Sequence, residues 1–472
     1  MYHDPDLHPA PAPLPAATHG MGISTLRVGL IGLGTVGLGT LELLARQAAL
    51  VARRAGRPVA VTQVAVRNVA RARSLVPAGV AVHADPLALA TDPSVDVLVE
   101  VAGGTTGALQ WVQAALAAGK PVVTANKALL AEHGPALAAL ARAHGTPLLC
   151  EAAVAGCIPV LKALAEGLAG NRILALQGIV NGTSNYILSR MQDAGLDFSA
   201  ALAEAQALGY AEADPALDVG GGDAAHKLAV LASLAWGVPV PLAHIAVQGI
   251  AHLQAADAAA AALLGGRLRL LARAEPLGTL LCAHPQAEPD TPPEALRLSV
   301  QPVLVAQAEP LAAVHGVRNA VQITGDACGP VLLTGAGAGA GPTASAVVAD
   351  LVDLARGHTA RAHAWAASQQ GQPAASAPLA AEPHLLRVPL DHADERAARS
   401  LLPAVLAALE AAGVPLLRLQ RLAHGGRLHW LLRTRACSAA AVQAAAAQIA
   451  TLPGVAGPCT ALPVLGTLAD LV

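Results

Sequence analysis

Short β-rich apolar runs alternate with amphipathic helical stretches along the first third of the chain. "RVGLIG" (27–32), "VAVTQVAVRN" (59–68), "DVLVEVAGG" (96–104), "PVVTANK" (121–127) and "TPLLCEAAVAG" (146–156) read as strands. Between them, "LGTVGLGTLELLARQ" (33–47), "GALQWVQAALAAGK" (107–120) and "GPALAALARAHG" (134–145) carry helical spacing. This alternation predicts an α/β fold with a doubly wound parallel sheet, in a first domain spanning 25–150.

From residue 151 the pattern changes. "PVLKALAEGLAG" (159–170) is helical, "ILALQGIVNGTSNYIL" (173–188) is a strand running into a helix start, and "AHKLAVLASLAWG" (225–237) is apolar nearly all round, as a buried helix is. "LRLSVQPVLV" (296–305), "NAVQITGD" (319–326) and "PVLLTGAGAGAG" (330–341) read as antiparallel strands, so 151–342 is expected to form an α+β domain. The helix "TASAVVADLVDLARG" (343–357) then returns to complete the first domain. Residues 358–381, rich in Ala, Ser, Gln and Pro, read as a linker. Beyond it, 382–472 offers strand, helix, strand, strand, helix, strand, a small βαββαβ module.

Composition narrows the picture. At 472 residues the chain exceeds what one core usually serves, in keeping with several domains. A formal net charge of −2 without a basic patch argues against a nucleic-acid partner. Apolar runs stop short of the ~20 residues that a membrane helix needs. Residues 1–24 lack the basic start and apolar run of a signal peptide and read as a disordered leader. Six cysteines without a CxxC fit a reducing, cytoplasmic setting. Only four lysines occur, Lys120, Lys127, Lys162 and Lys227, among an arginine majority. A retained lysine suggests a position where an amine able to release a proton is useful.

Candidate chemistry begins at "GLGTVG", which follows the first strand and opens the first helix. Gly32 permits the tight turn, Gly34 lets backbone approach a pyrophosphate, and Gly37 allows close helix–strand packing; Thr35 and Val36 add amides at the helix start. A Rossmann-type dinucleotide site is therefore expected. An acidic residue closing the second strand would bind the ribose of NAD, but the chain has Arg67 there, which suits the 2′-phosphate of NADP. NAD stays open, because an arginine can also stack on adenine. Lys127 ends "TANK", beyond the carboxyl end of what reads as the fourth strand, where open α/β sheets bind ligands.

Asp223 and Lys227 lie four residues apart at the start of the buried helix and share one face. A buried carboxylate–ammonium pair is costly unless it has a task. Carbonyl reduction needs a proton donor at the nascent alkoxide, and Lys227 suits that role with Asp223 orienting it. Asp214, before Pro215, reads as a turn residue, and His226 lies on another face of the helix.

The stretch "AQALGYAEADPALDVGGGDAAHK" (205–227) resembles the homoserine dehydrogenase signature: Ala205, Gly209, Tyr210, Ala211, Asp214-Pro215, Asp218, Val219, Gly221, Asp223 and Lys227 match every position. "TANKALLAEHG", "CEAAVAGCIPV", "GIVNGTSNYIL" and "GAGAGPTASAVVADLVDLARG" resemble further family blocks in family order, so the likeness covers about 27–357. It implies NAD(P)H-dependent reduction of aspartate 4-semialdehyde to homoserine, in threonine, methionine and isoleucine biosynthesis. It also implies a substrate amino group held by Glu212 with Asp218, Thr183 and Lys127 nearby, and Gly339 set against the cofactor. A sodium ion, or another monovalent cation, would sit at Glu151, Val154, Gly156 and Ile158. A homodimer or homotetramer is implied as well. Extended family members carry a C-terminal ACT-type module that binds an amino-acid effector. The place of its Asp-x-Pro-Gly loop here reads "LDHADERAARSLLP", lacking the Pro and Gly, so dimerising and allosteric roles both stay open. Two rival readings remain at this point: another Rossmann oxidoreductase of amino-acid aldehydes, and a catalytically silent cofactor or amino-acid sensor.

Overall fold

The computed structural model describes residues 24–278, 292–391 and 395–468, so the expected leader lies outside the described residues except for Ser24. The first sheet is wholly parallel: β1 (Leu26–Ile31), β2 (Val59–Ala65), β3 (Ala81–His83), β4 (Val97–Glu100), β5 (Val122–Thr124) and β6 (Leu148–Leu149), in the order β3-β2-β1-β4-β5-β6. Strands β4 and β5 are buried along their whole length, as expected of parallel strands covered on both faces. The short β3 escaped the sequence reading, so "TANK" closes the fifth strand and not the fourth. The order reverses between β1 and β4, and there the crevice beyond their carboxyl ends opens.

The second sheet is mixed. It comprises β7 (Ile173–Ile179), β8 (Ala246–Val247), β9 (Gly266–Pro276), β10 (Ala295–Ala306), β11 (Arg318–Gly325), β12 (Gly329–Ala336), β13 (Ala375–Ser376), β14 (His384–Pro389), β15 (Leu416–His424), β16 (Arg427–Thr434) and β17 (Thr460–Leu465). The main path runs β12-β11-β7-β9-β10-β17-β14-β16-β15, with β8 and β13 pairing on β10. The C-terminal segment has the order β14, helix Glu395–Ala411, β15, β16, helix Ala439–Ala450, β17. Its strand β17 pairs with β10, so this module continues the central sheet. A buried ion pair reinforces the junction: Arg387 of β14 donates to Asp257 of the helix Ala255–Leu263, to Gln254 and to Thr460.

The helix Ala340–Ala355 packs against Thr35–Arg46 so closely that a Cβ on Gly39 would lie 2.6 Å from the carbonyl of Ala340. Glycine is thus required there by backbone approach. Residues 358–381, expected to be a linker, instead contain the helix Ala360–Ser368, with Arg361 and Trp365 buried. Its alanine-rich composition resembles a linker, yet three acidic side chains hold Arg361: Glu151 at 2.6 Å, Asp350 at 2.6 Å and Asp353 at 3.1 Å. The predicted helix 159–170 is a single turn, Val160–Lys162, followed by a π-turn over Ala163–Gly167. Among the described residues no helix is long and apolar enough to cross a membrane.

Candidate active site

The helix Gly222–Trp236 begins after Gly221, whose φ of 88° favours glycine, and ends at Gly237. Its flanks are buried almost throughout, which brings Asp223 and Lys227 out of water together. Lys227 Nζ lies 2.7 Å from Asp223 Oδ2 and donates to the carbonyl of Val180 at 2.7 Å. An ammonium has three N–H donors, so one remains for a ligand. Asp223 Oδ1 faces a second ammonium, Lys127 Nζ, at 3.2 Å. Lys127 is the first residue of the helix Lys127–Ala143, capped by Asn126, and is partly exposed. Burial opposes ionisation of Asp223. The charges of Lys227 and Lys127, with hydrogen bonds from Lys227 and Asn181, outweigh it and hold the carboxyl well below the usual range.

Asn181 is the residue that sequence reasoning missed. Its Oδ1 accepts from the N–H of Ser184 and caps the helix Gly182–Ala194. Its Nδ2 donates to Asp223 Oδ2 at 2.8 Å and to Asp218 Oδ1 at 2.7 Å, tying the two carboxylates together. The capping role could be guessed from "VNGTSN"; the bridging role needs two partners 37 and 42 residues away. Burial raises the Asp218 carboxyl, the bond from Asn181 lowers it, and the nearby negative charge of Asp223 raises it further. Asp214 accepts from the N–H of Ala216 as a turn residue. Thr183 Oγ1 donates to the carbonyl of Tyr210 at 2.6 Å, anchoring the loop on which Glu212 stands exposed. Lys227, Asp223, Asp218 and Lys127 therefore form one cluster, while among the described residues no hydrogen bond or ion pair joins the Glu212 side chain to it.

A dinucleotide fits the crevice. Gly34 and Gly339 are the N-caps of Thr35–Arg46 and Ala340–Ala355, neither with a side-chain cap nor an acidic first turn, so both helix starts offer free N–H groups. A Cβ on Gly37 would lie 2.2 Å from the carbonyl of Gly32, whereas space around Gly34 is open. Thr35 is exposed and Val36 half-buried beside them. Arg67 stands exposed two residues past β2.

At the expected cation loop the Glu151 carboxylate accepts from Leu161 N–H, Lys162 N–H and Arg361 Nη1, a guanidinium it shares with Asp350 and Asp353. The backbone fits a hard cation better: Ala155 and Gly156 adopt φ of 55° and 57°, and among the described residues no N–H donates to the carbonyls of Val154 or Gly156. The carbonyl of Ile158 accepts from Val160 N–H. No group of three or more His, Cys, Asp or Glu side chains able to hold a metal occurs among the described residues.

Residues 32–151 match the family model for the homoserine dehydrogenase NAD-binding domain, and residues 159–352 match that for homoserine dehydrogenase. The chain belongs to the homoserine dehydrogenase family. Homoserine dehydrogenase of Pseudomonas aeruginosa is 46% identical over 335 residues, covering 71% of this chain and 73% of that protein. A crystal structure of a homoserine dehydrogenase from Thiobacillus denitrificans superposes with a TM-score of 0.81 at 40% identity, over 93% of this chain and 98% of that one. A hyperthermophilic archaeal homoserine dehydrogenase in complex with NADPH aligns at 26% identity and a TM-score of 0.57, over 70% of this chain and 97% of that one. The activity is that of the family: an NAD(P)-dependent oxidoreductase interconverting aspartate 4-semialdehyde and homoserine. The reading as a different Rossmann enzyme or a silent sensor is thereby set aside.

Proposed function

We propose that Lys227 is the acid/base of the reaction and that Asp223 orients it, in a chain that prefers NADP. One observation carries this: Lys227 is buried, pinned by Asp223 Oδ2 and the Val180 carbonyl, with a single N–H to spare. The helix starts at Gly34 and Gly339 would hold a dinucleotide whose nicotinamide, when bound, would supply the hydride for the aldehyde carbon. Lys227 donates its proton to the carbonyl oxygen as charge develops there, and in the reverse direction it takes the proton from the hydroxyl. Asp223 sets the ammonium's direction, and Lys127 and Asn181 keep Asp223 ionised. Asp218 and Glu212 attract the substrate's α-ammonium; Thr183 holds the Glu212 loop at Tyr210.

The NADP preference rests on Arg67 after β2, where no carboxylate stands to receive a ribose 2′-hydroxyl. The helix starts at Gly34 and Gly339 would hold the phosphates, with Thr35 and Val36 lending amides. A sodium ion would take the carbonyls of Val154, Gly156 and Ile158 and leave Glu151 to Arg361. The proposed setting is cytoplasmic, within threonine, methionine and isoleucine synthesis, as a homodimer or homotetramer. The C-terminal segment is proposed as an ACT-like module on the strength of its βαββαβ order. Steady-state NADPH oxidation with aspartate semialdehyde tests the core: Lys227→Ala should lose at least ~100-fold in kcat. Equal turnover in both proteins would overturn the assignment.

A further inference from the structure

The buried carboxylate of Glu100 lies outside the cluster of Lys227, Asp223, Asp218 and Lys127. It ends β4 with no exposure, and among the described residues no Lys, Arg or His forms an ion pair with it. Its Oε1 accepts from the N–H groups of Ala102 at 2.9 Å and Gly103 at 3.2 Å. Its Oε2 accepts from Thr124 Oγ1 at 2.7 Å, at the end of β5. Thr124 Oγ1 in turn accepts from the N–H of Asn126 at 3.0 Å, and Asn126 Nδ2 donates to the carbonyl of Gly104 at 2.6 Å. Asn126 Oδ1 caps the helix whose first residue is Lys127.

The segment so gripped is part of the cofactor crevice. Gly103 and Gly104 both have left-handed φ, 75° and 74°, a shape held by the bonds to Glu100 and Asn126. A Cβ on Gly32 would lie 2.8 Å from both the N and Cα of Ala102, so this segment packs against the phosphate turn. On its other arm the network reaches Lys127, 3.2 Å from Asp223. A buried carboxylate without a counter-charge is costly, and its three donors must compensate it.

We propose that Glu100 is a positioning residue with two arms: one shapes the Ala102–Gly104 wall against which the dinucleotide lies, the other sets Lys127 against Asp223. This rests on the reading of Lys127 and Asp223 as parts of the reaction centre. Glu100→Gln keeps size and one acceptor oxygen but cannot accept on both arms. Thr124→Val removes only the arm toward Lys127.

The test measures the NADPH dissociation constant of the binary complex by nicotinamide fluorescence, kcat with aspartate semialdehyde, and thermal midpoint, for the full chain. Glu100→Gln should weaken NADPH binding at least fivefold and lower kcat, with the midpoint within a few degrees of wild type. Thr124→Val should lower kcat with NADPH affinity within twofold of wild type. Combining Thr124→Val with Lys127→Ala should cost less in kcat than the product of the single losses, since both act on one element. Full additivity, or a lowered midpoint with the NADPH constant unchanged in Glu100→Gln, would overturn the proposal, because a merely structural loss reduces the active fraction and not the affinity. Should Glu100→Gln fail to fold, Thr124→Val and its cycle decide alone: wild-type kcat, or a weakened NADPH constant, overturns the two-armed role. Wild-type turnover checks the reaction itself, so failure of that reading is distinguishable from failure of this one.

Discussion

Replacing Asn181 separates two tasks that one side chain performs. Asn181→Ala removes the helix cap on Ser184 and the amide that joins Asp218 to Asp223. Loss of an N-cap costs about 1 kcal/mol of stability. The two Nδ2 bonds end on carboxylates, and hydrogen bonds to charged groups contribute roughly 1.5–3 kcal/mol each. Taking the lower figure for both gives about 3 kcal/mol, which equals roughly 100-fold in rate if it is felt at the transition state. Asn181→Asp is the informative partner: its oxygen still caps Ser184, but the donor is gone and a third carboxylate enters the cluster. The expected result is a thermal midpoint restored toward wild type in Asn181→Asp, with kcat/KM down about 100-fold in both variants. The extra charge should also move the acid limb of the kcat/KM profile upward, since neighbouring negative charge raises carboxyl pKa values. The reasoning fails if Asn181→Asp keeps wild-type kcat/KM, or if its loss simply tracks the lowered midpoint.

Three further outcomes are expected. Arg67→Ala should cut the ratio of kcat/KM for NADPH over NADH at least tenfold by weakening NADPH alone; an unchanged ratio would remove Arg67 from cofactor choice. Burial, set against the Arg361 charge, pushes the Asp350 carboxyl up to about 8. Its folded value exceeds its unfolded one, so its stabilising contribution is complete below the unfolded value and is lost as pH rises through about 8. Urea unfolding at pH 6 and 8.5 should show wild type losing stability with a steeper slope than Asp350→Asn; parallel slopes would contradict this. Arg387→Met leaves Asp257 buried without its cation and should destabilise the chain by about 3–5 kcal/mol in urea unfolding. A negligible change would mean that the C-terminal module is not bound through this pair.

The parallel strands other than the short, half-exposed β3 were legible because burial on both faces makes them continuous apolar runs, as in "DVLVEV". Strand β9 was not, because "GRLRLLARAEP" carries three arginines in a central strand. Arg269 among them is wholly buried and donates to the carbonyls of Leu268 and Ala312, so side-chain polarity there does not report exposure. At the site, Asp223 and Lys227 were readable because their relation is local, one helical turn apart. The partners that complete them come from afar: Asn181 across 42 residues, and Arg361, which claims Glu151 across 210. The scarcity of lysine pointed half right. Lys127 and Lys227 converge on Asp223, whereas Lys162 pairs with Asp353 and Lys120 donates to the carbonyl of Asp92.

Chemical rescue of Lys227→Ala tests most directly whether this amine carries the proton. Truncation leaves a space the size of a small primary amine beside Asp223. NADPH oxidation with aspartate semialdehyde should fall at least ~100-fold and recover in part on adding methylamine or ethylamine, with a rate that varies with the pKa of the added amine. Wild-type turnover without any amine, or a loss that no amine restores while NADPH affinity is unchanged, would contradict the account.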